Sequence, residues 1–148
     1  MTHEQYMTEA LRLAEEAGAV GEVPVGCVIA DAGGKIIGRG RNRREADGVA
    51  TAHAEILAIE EACRAIGDWR LGPCNLYVTL EPCPMCAGAI INARIPKVFY
   101  GAKDPSLGAC GSVLNLFLER FGHEPEVRGG ILEASCGALM TNFFRNLR

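Results

Sequence analysis

The run His53-Ala54-Glu55, answered later by Pro82-Cys83-Pro84-Met85-Cys86, constrains this chain more than anything else in it. One imidazole and two closely spaced thiols can hold a single zinc ion with three protein ligands, which leaves the fourth position to water, and Glu55 remains as a spare carboxylate. On the first turn of a helix, residues three apart share a face, so Cys83 and Cys86 can reach one ion there. A helix N-terminus also favours the thiolate that binds metal. Pro82 and Pro84 restrict the backbone on both sides of Cys83. Whatever the fold, it has to bring this helix entrance beside His53. On an ideal helix His53 and Glu55 point about 200° apart. They converge only if His53 sits at an irregular helix entrance, which Thr51 as a cap makes feasible.

Two sulfurs and an imidazole suit zinc better than magnesium or calcium. Glu55 is placed to carry protons between water and a leaving group. A redox dithiol is the competing reading of Cys-x-x-Cys, and a closed structural zinc site is another. The first leaves His53 and Glu55 idle. The second lacks a fourth ligand at suitable spacing, since Cys74 lies nine residues before Cys83 and His123 is far downstream.

Around this motif the pattern alternates strands and helices. Thr2 and Gln5 match a capping box ahead of a helix over about 2–17, with an apolar stripe from Tyr6 to Ala17. Residues 23–30 read as a buried strand, Asp31-Ala32-Gly33-Gly34 as a turn, and 35–39 as the returning strand of a hairpin. After a polar loop over 40–50, Thr51 caps a helix over 52–67, with Ile56, Ile59, Cys63 and Ile66 on its inner face. Strands follow at 75–80 and 97–100, with a helix over 84–93 between them that opens on Pro84. A helix is expected over 112–120, a weak strand over 126–132, and a last helix whose stripe is Leu132, Cys136, Leu139, Met140, Phe143, Phe144 and Leu147. The expected class is α/β, a sheet with helices on both faces, made mixed by the opening hairpin.

The 148 residues suit one domain, 1–148, with no repeat or linker. The chain opens without a basic-plus-apolar leader, and no apolar run approaches the roughly 20 residues that span a bilayer. A reducing, cytoplasmic setting with no membrane partner is therefore expected, with the seven cysteines as thiols or ligands. Cys27, Cys63 and Cys136 fall on apolar faces and read as small core residues. The net charge of −3 argues against wholesale nucleic-acid binding. Yet Arg39, Arg41, Arg43 and Arg44 cluster beside Asn42, and a local basic loop can contact phosphates on an acidic protein. A solvated loop explains the same charges.

The signature His-x-Glu with Pro-Cys-x-x-Cys is that of the zinc-dependent nucleobase deaminases. Further segments resemble the bacterial tRNA-specific adenosine deaminases, within the cytidine and deoxycytidylate deaminase superfamily. They are Glu22-Val23-Pro24-Val25-Gly26, Asn42, Thr51-Ala52-His53-Ala54-Glu55, Leu76 to Cys83, Gly101-Ala102-Lys103-Asp104, and the ending around Cys136 and Phe143-Phe144-Arg145. The resemblance runs in order through almost the whole chain.

It implies a three-layer α/β/α cytidine-deaminase-like fold with a mixed five-stranded sheet. It implies hydrolytic deamination of the wobble adenosine, position 34, of a tRNA anticodon to inosine, by a homodimer with one zinc per subunit. Carried across, His53, Cys83 and Cys86 bind zinc and Glu55 shuttles protons. Asn42 bonds the purine, and Val25, Pro82 and the backbone of Ala54 and Cys83 shape the pocket. Asp104 and Phe144 meet the flanking nucleotides, although the apolar stripe assigns Phe144 equally well to core packing. Two departures imply weaker RNA contacts: Ser106 follows Asp104-Pro105 where many relatives have lysine, and Arg148 stands where many continue into a lysine-rich tail. Deamination of a free base or nucleoside, such as guanine or cytidine, is the alternative activity. A non-catalytic zinc-stabilised RNA-binding module is a third reading, and it leaves Glu55 without a use.

Overall fold

The structure is a computed structural model and describes residues 1–147; Arg148, noted above, lies outside the described residues. In chain order the elements are α1 (His3–Ala19), β1 (Gly26–Ala30), β2 (Ile36–Arg41), α2 (Arg44–Asp47), α3 (Ala54–Ile66), β3 (Asn75–Leu80), α4 (Pro84–Asn92), β4 (Lys97–Ala102), β5 (Glu126–Arg128) and α5 (Glu133–Asn146). The strands form one sheet in the order β2-β1-β3-β4-β5. β1 pairs antiparallel with both β2 and β3, whereas β3, β4 and β5 run parallel, so the sheet is mixed as expected.

Alternation along the strands divides the core into two layers. Cys27, Ile29, Leu76, Val78 and Val98 join Ala54, Ala58 and Ala62 of α3 and Ile90 of α4 on one side. Val28, Ala30, Tyr77 and Phe99 join Tyr6, Met7 and Ala10 of α1, with Cys136 of α5, on the other. The capping box forms: the Gln5 N–H donates to Thr2 Oγ1 (3.2 Å) and the Thr2 N–H to Gln5 Oε1 (2.7 Å). Above it, rings of His3, Phe99, Tyr77 and Tyr6 stack through this layer.

Three expectations need correction. The α3 helix starts at Ala54, with His53 rather than Thr51 as its cap. It buries Ala54, Ala58 and Ala62, while Ile66 is exposed. The reason is contact with β2: a side-chain carbon on Gly40 would stand 2.1 Å from the Ala54 carbonyl oxygen, so helix and strand touch backbone to backbone. That approach seats the first turn of α3, and with it His53 and Glu55. The expected helix over 112–120 is only a tight turn at Leu116–Leu118. Amides that such a helix would bond within itself are used elsewhere, Leu116 on the Ala109 carbonyl (2.8 Å) and Phe117 on the Asn115 side chain (3.2 Å). β5 stops at Arg128, and Gly130 beyond it has a φ of +87°, outside strand geometry. The α5 helix forms, but Cys136 is its only buried residue.

All seven cysteines are free thiols. Cys27 and Cys136 are buried as expected and Cys63 is half-buried. Trp69, the one tryptophan, lies half exposed just ahead of β3, with the guanidinium of Arg70 4.4 Å and that of Arg94 5.6 Å from its ring centre. Among the described residues, no helix is long and apolar enough to cross a membrane.

Candidate active site

Two helix entrances meet beyond the end of β3. His53 caps α3 in an extended conformation (φ −80°, ψ 153°), which lets it converge with Glu55 two residues on. Cys83 caps α4, also extended, and Pro84 fills the first helical position, where a missing N–H costs no hydrogen bond. Cys86 follows on the first turn.

His53 Nδ1 stands 3.4 Å from Cys86 Sγ and 3.7 Å from Cys83 Sγ, and all three donor atoms lie within 4.8 Å of one another. Tetrahedral bonds of about 2.0–2.3 Å place neighbouring ligand atoms roughly 3.5–3.8 Å apart, so the donor set fits zinc in both chemistry and spacing. The electrostatics also fit. The hydrogen bond with Cys86, together with the one to His53, draws the Cys83 thiol down to about 4 against the effect of burial, making it a thiolate. The contact with Cys83 and burial push the Cys86 thiol the opposite way. The bond to Cys83 raises His53, opposed by burial. Glu55 is buried beside the three donors, and burial, reinforced by the Cys83 thiolate, lifts its carboxyl to about 7.

His53, Glu55 and Cys83 line the floor of a cavity of about 390 Å³, while Cys86 is fully buried and does not line it. Of the residues singled out from sequence, Val25, Asn42, Ala54, Cys83, Asp104 and Phe144 all line it, but Pro82 does not. Pro82 is buried behind the wall, and its carbonyl accepts the Ala109 N–H (2.8 Å). Asn42 is buried, with Nδ2 donating to the Val23 carbonyl (3.3 Å) and Oδ1 accepting from the Arg44 N–H (3.2 Å). One N–H and one lone pair of its amide stay available. Asp104 Oδ1 accepts from the N–H groups of Ser106 (3.0 Å) and Leu107 (3.2 Å). Phe144 is 47% exposed at the mouth, edge-on to Phe143, so the core-packing reading of it does not hold.

Arg44, read from sequence only as part of a basic loop, and Met140, read as part of an apolar stripe, also line the cavity, as does Leu107, to which sequence reasoning assigned no role. Nor did it assign one to two buried acids that hold the cavity's edges. Glu22 accepts from the N–H groups of Glu45 (3.1 Å) and Ala46 (2.7 Å). Glu81 accepts from Asp104, Cys110 and Ser112. The available signal was charge beside apolar strand ends, at Glu22-Val23 and Leu80-Glu81. In the basic loop, Arg43 pairs with Asp47 (3.0 Å) and Arg41 with Glu16 (3.5 Å), while Arg44 faces the cavity.

A catalytic-type zinc site at the entrances of two helices packed on a mixed sheet defines a class, and comparison agrees with it. The chain belongs to the cytidine and deoxycytidylate deaminase family, whose zinc-binding region matches residues 1–102. Within that class it is 51% identical over 146 residues to the tRNA-specific adenosine deaminase of Bacillus subtilis (strain 168), covering 98% of this chain and 90% of the relative. A solved structure from studies of A-to-I editing by tRNA:A34 deaminases at the wobble position of transfer RNA superposes with a TM-score of 0.87. It is 43% identical and covers 91% of this chain and 98% of that one. A guanine deaminase structure from Bacillus subtilis is 44% identical with a TM-score of 0.67, covering 70% of this chain and 66% of that one. The resemblance and the three-layer fold read from sequence are both borne out. Zinc is the family's metal, and His53, Cys83 and Cys86 form the site able to hold it.

Proposed function

We propose that residues 1–148 work as one zinc-dependent deaminase domain that converts the wobble adenosine of a tRNA anticodon to inosine and releases ammonia. The observation that carries this reading is a buried carboxyl, Glu55, beside three metal donors rather than four, at the floor of a cavity sized for a base. Bound zinc supplies the Lewis acidity that makes water a nucleophile near neutral pH.

Glu55 takes a proton from the water attacking C6 and delivers it to N1 of the purine. It then takes the remaining proton from the new C6 hydroxyl and gives it to the departing amine, so that ammonia leaves as the C6 carbonyl forms. The free N–H and lone pair of Asn42 orient the flipped base. Ala54 and Cys83 contact it through backbone, and the Cys83 N–H, outside the α4 ladder, faces the charge developing at C6. Val25 packs against the ring. The exposed Phe144 ring gives a flanking base a stacking surface, and the second oxygen of Asp104 gives a polar contact.

The chain is further proposed to act as a homodimer in the cytoplasm, with one zinc per subunit. A groove lined by Ile56, Met85, Ile91, Leu116 and Phe121, with Met85 and Phe121 exposed, supports a partner copy there. Sedimentation analysis showing only monomer at micromolar concentration would remove the dimer from this reading.

The activity is tested by comparing inosine formation on an anticodon stem-loop with ammonia release from guanine, cytidine and adenosine. Turnover confined to the stem-loop is expected. Preference for free guanine would favour the base-deaminase alternative.

A further inference from the structure

Glu81 is 1% exposed, lies two residues before a metal ligand, and takes no part in the chemistry above. Its carboxylate is nonetheless fully engaged. Oε1 accepts from the Asp104 N–H (3.1 Å) and the Ser112 hydroxyl; Oε2 accepts from the N–H groups of Cys110 (3.0 Å) and Ser112 (3.1 Å). A carboxylate has about four lone-pair sites, so none remains for a substrate although Glu81 borders the cavity. Burial raises this carboxyl, but the surrounding bonds outweigh it and hold it below the usual range.

All four donors come from one irregular segment, 104–112, whose Asp104, Ser106 and Leu107 form a wall of the cavity. Outside Glu81, the segment is tied to the rest of the site by the Ala109 N–H on the Pro82 carbonyl. The segment wraps closely: a side-chain carbon on Gly108 would stand 2.4 Å from the Glu81 carboxyl and 2.6 Å from the Asp104 carbonyl oxygen. Three consecutive residues thus have linked tasks. Glu81 and Pro82 hold the wall, and Cys83 holds the metal.

We propose that Glu81 is a positioning residue, which fixes the 104–112 wall in register with the zinc site and so sets how tightly the substrate nucleotide is bound. The inference rests on the deaminase reading for its substrate, and on geometry alone for the wall. A carboxylate is required, because a carboxamide offers one accepting oxygen and turns an NH₂ group toward N–H donors.

The test uses the zinc-loaded protein and three variants: Glu81→Gln, Gly108→Ala, which disturbs the same contact from the segment's side, and the milder Ser112→Ala. For Glu81→Gln and Gly108→Ala, KM for an anticodon stem-loop should rise roughly 10-fold or more with zinc content unchanged and kcat within a few-fold. Ser112→Ala should fall between them and the parent. The double variant Glu81→Gln/Gly108→Ala should be no worse than either single change, as expected for one shared contact. Hydrogen exchange at the Asp104, Cys110 and Ser112 amides should speed up while α3 and α4 stay protected. A variant that merely lowers the folded fraction would reduce apparent kcat and leave KM alone. Unchanged KM, or unchanged exchange at those amides, would overturn the proposal. A parent protein inactive on the stem-loop would instead sink the tRNA-substrate reading, and the exchange data would still decide the wall.

Discussion

Glu22 holds its loop with two backbone N–H groups, whereas Glu81 gathers three and a hydroxyl. The segments they hold differ accordingly. The Glu22 loop carries α2, four residues with none buried, finished by an exposed pair between Arg43 and Asp47. The Glu81 segment has no helix of its own, yet Gly108, Ala109 and Cys110 are buried. Regular structure and rigidity are therefore separate properties here. A helix without buried apolar contacts opens at little cost, while an irregular segment wound around a satisfied buried charge does not. One edge of the cavity is fixed, the other can adapt to what enters, and both surround a floor set by helix entrances.

That contrast makes each part separately breakable. The largest loss should come from the floor. Glu55→Ala should keep its zinc and lower turnover by roughly 10²–10⁴-fold, the usual worth of acid–base catalysis, with both edges unchanged by hydrogen exchange. Near-normal turnover would remove Glu55 from its role. Replacing Cys83 or Cys86 with alanine should instead abolish zinc retention, read by metal analysis of the purified protein.

Gly40→Ala comes next. The added carbon has to displace the Ala54 carbonyl, and overpacking of this kind costs about 1–3 kcal/mol, measured by denaturant unfolding. Zinc affinity should fall with it, because the first turn of α3 carries His53. Stability equal to the parent would mean that β2 does not seat that turn.

A smaller effect is expected at the adaptable edge. Glu22→Ala removes the cap of α2, a loss on the order of 0.5–2 kcal/mol. Faster exchange should appear at Glu45 and Ala46, with Cys110 and Ser112 still protected; a response at all four would join the two edges into one unit. The smallest change belongs to Arg43→Ala. It breaks an exposed ion pair, and the melting temperature should not move measurably.

The floor was legible in sequence because its parts are local. Cys83 and Cys86 are fixed by a strand-to-helix junction with proline at the first helical position, and the His53–Glu55 geometry follows from a cap. Most elements were legible too, because periodicity reports which residues face a core. The edges were not. Glu81 bonds partners 23 to 31 positions away, and Glu22 partners 23 and 24 away, separations that no local pattern encodes. The missing helix over 112–120 has a nearer cause: the Leu116 and Phe117 amides go to the Ala109 carbonyl and the Asn115 side chain, competing bonds that periodicity does not report. The stripe on α5 marked a helix correctly, but no stripe states how much of itself will be covered, and so Phe144 read equally well as core.

Trp69 carries a consequence of its own. It precedes β3, and the cavity lies beyond the other end of that six-residue strand, roughly 20 Å away. The chain's intrinsic indole fluorescence is therefore insulated from events at the zinc site. Its neighbour Arg94 also lines the groove proposed above for a second copy. Emission from this protein should thus follow assembly and unfolding of the 67–74 turn, and stay silent while a base enters or leaves the cavity.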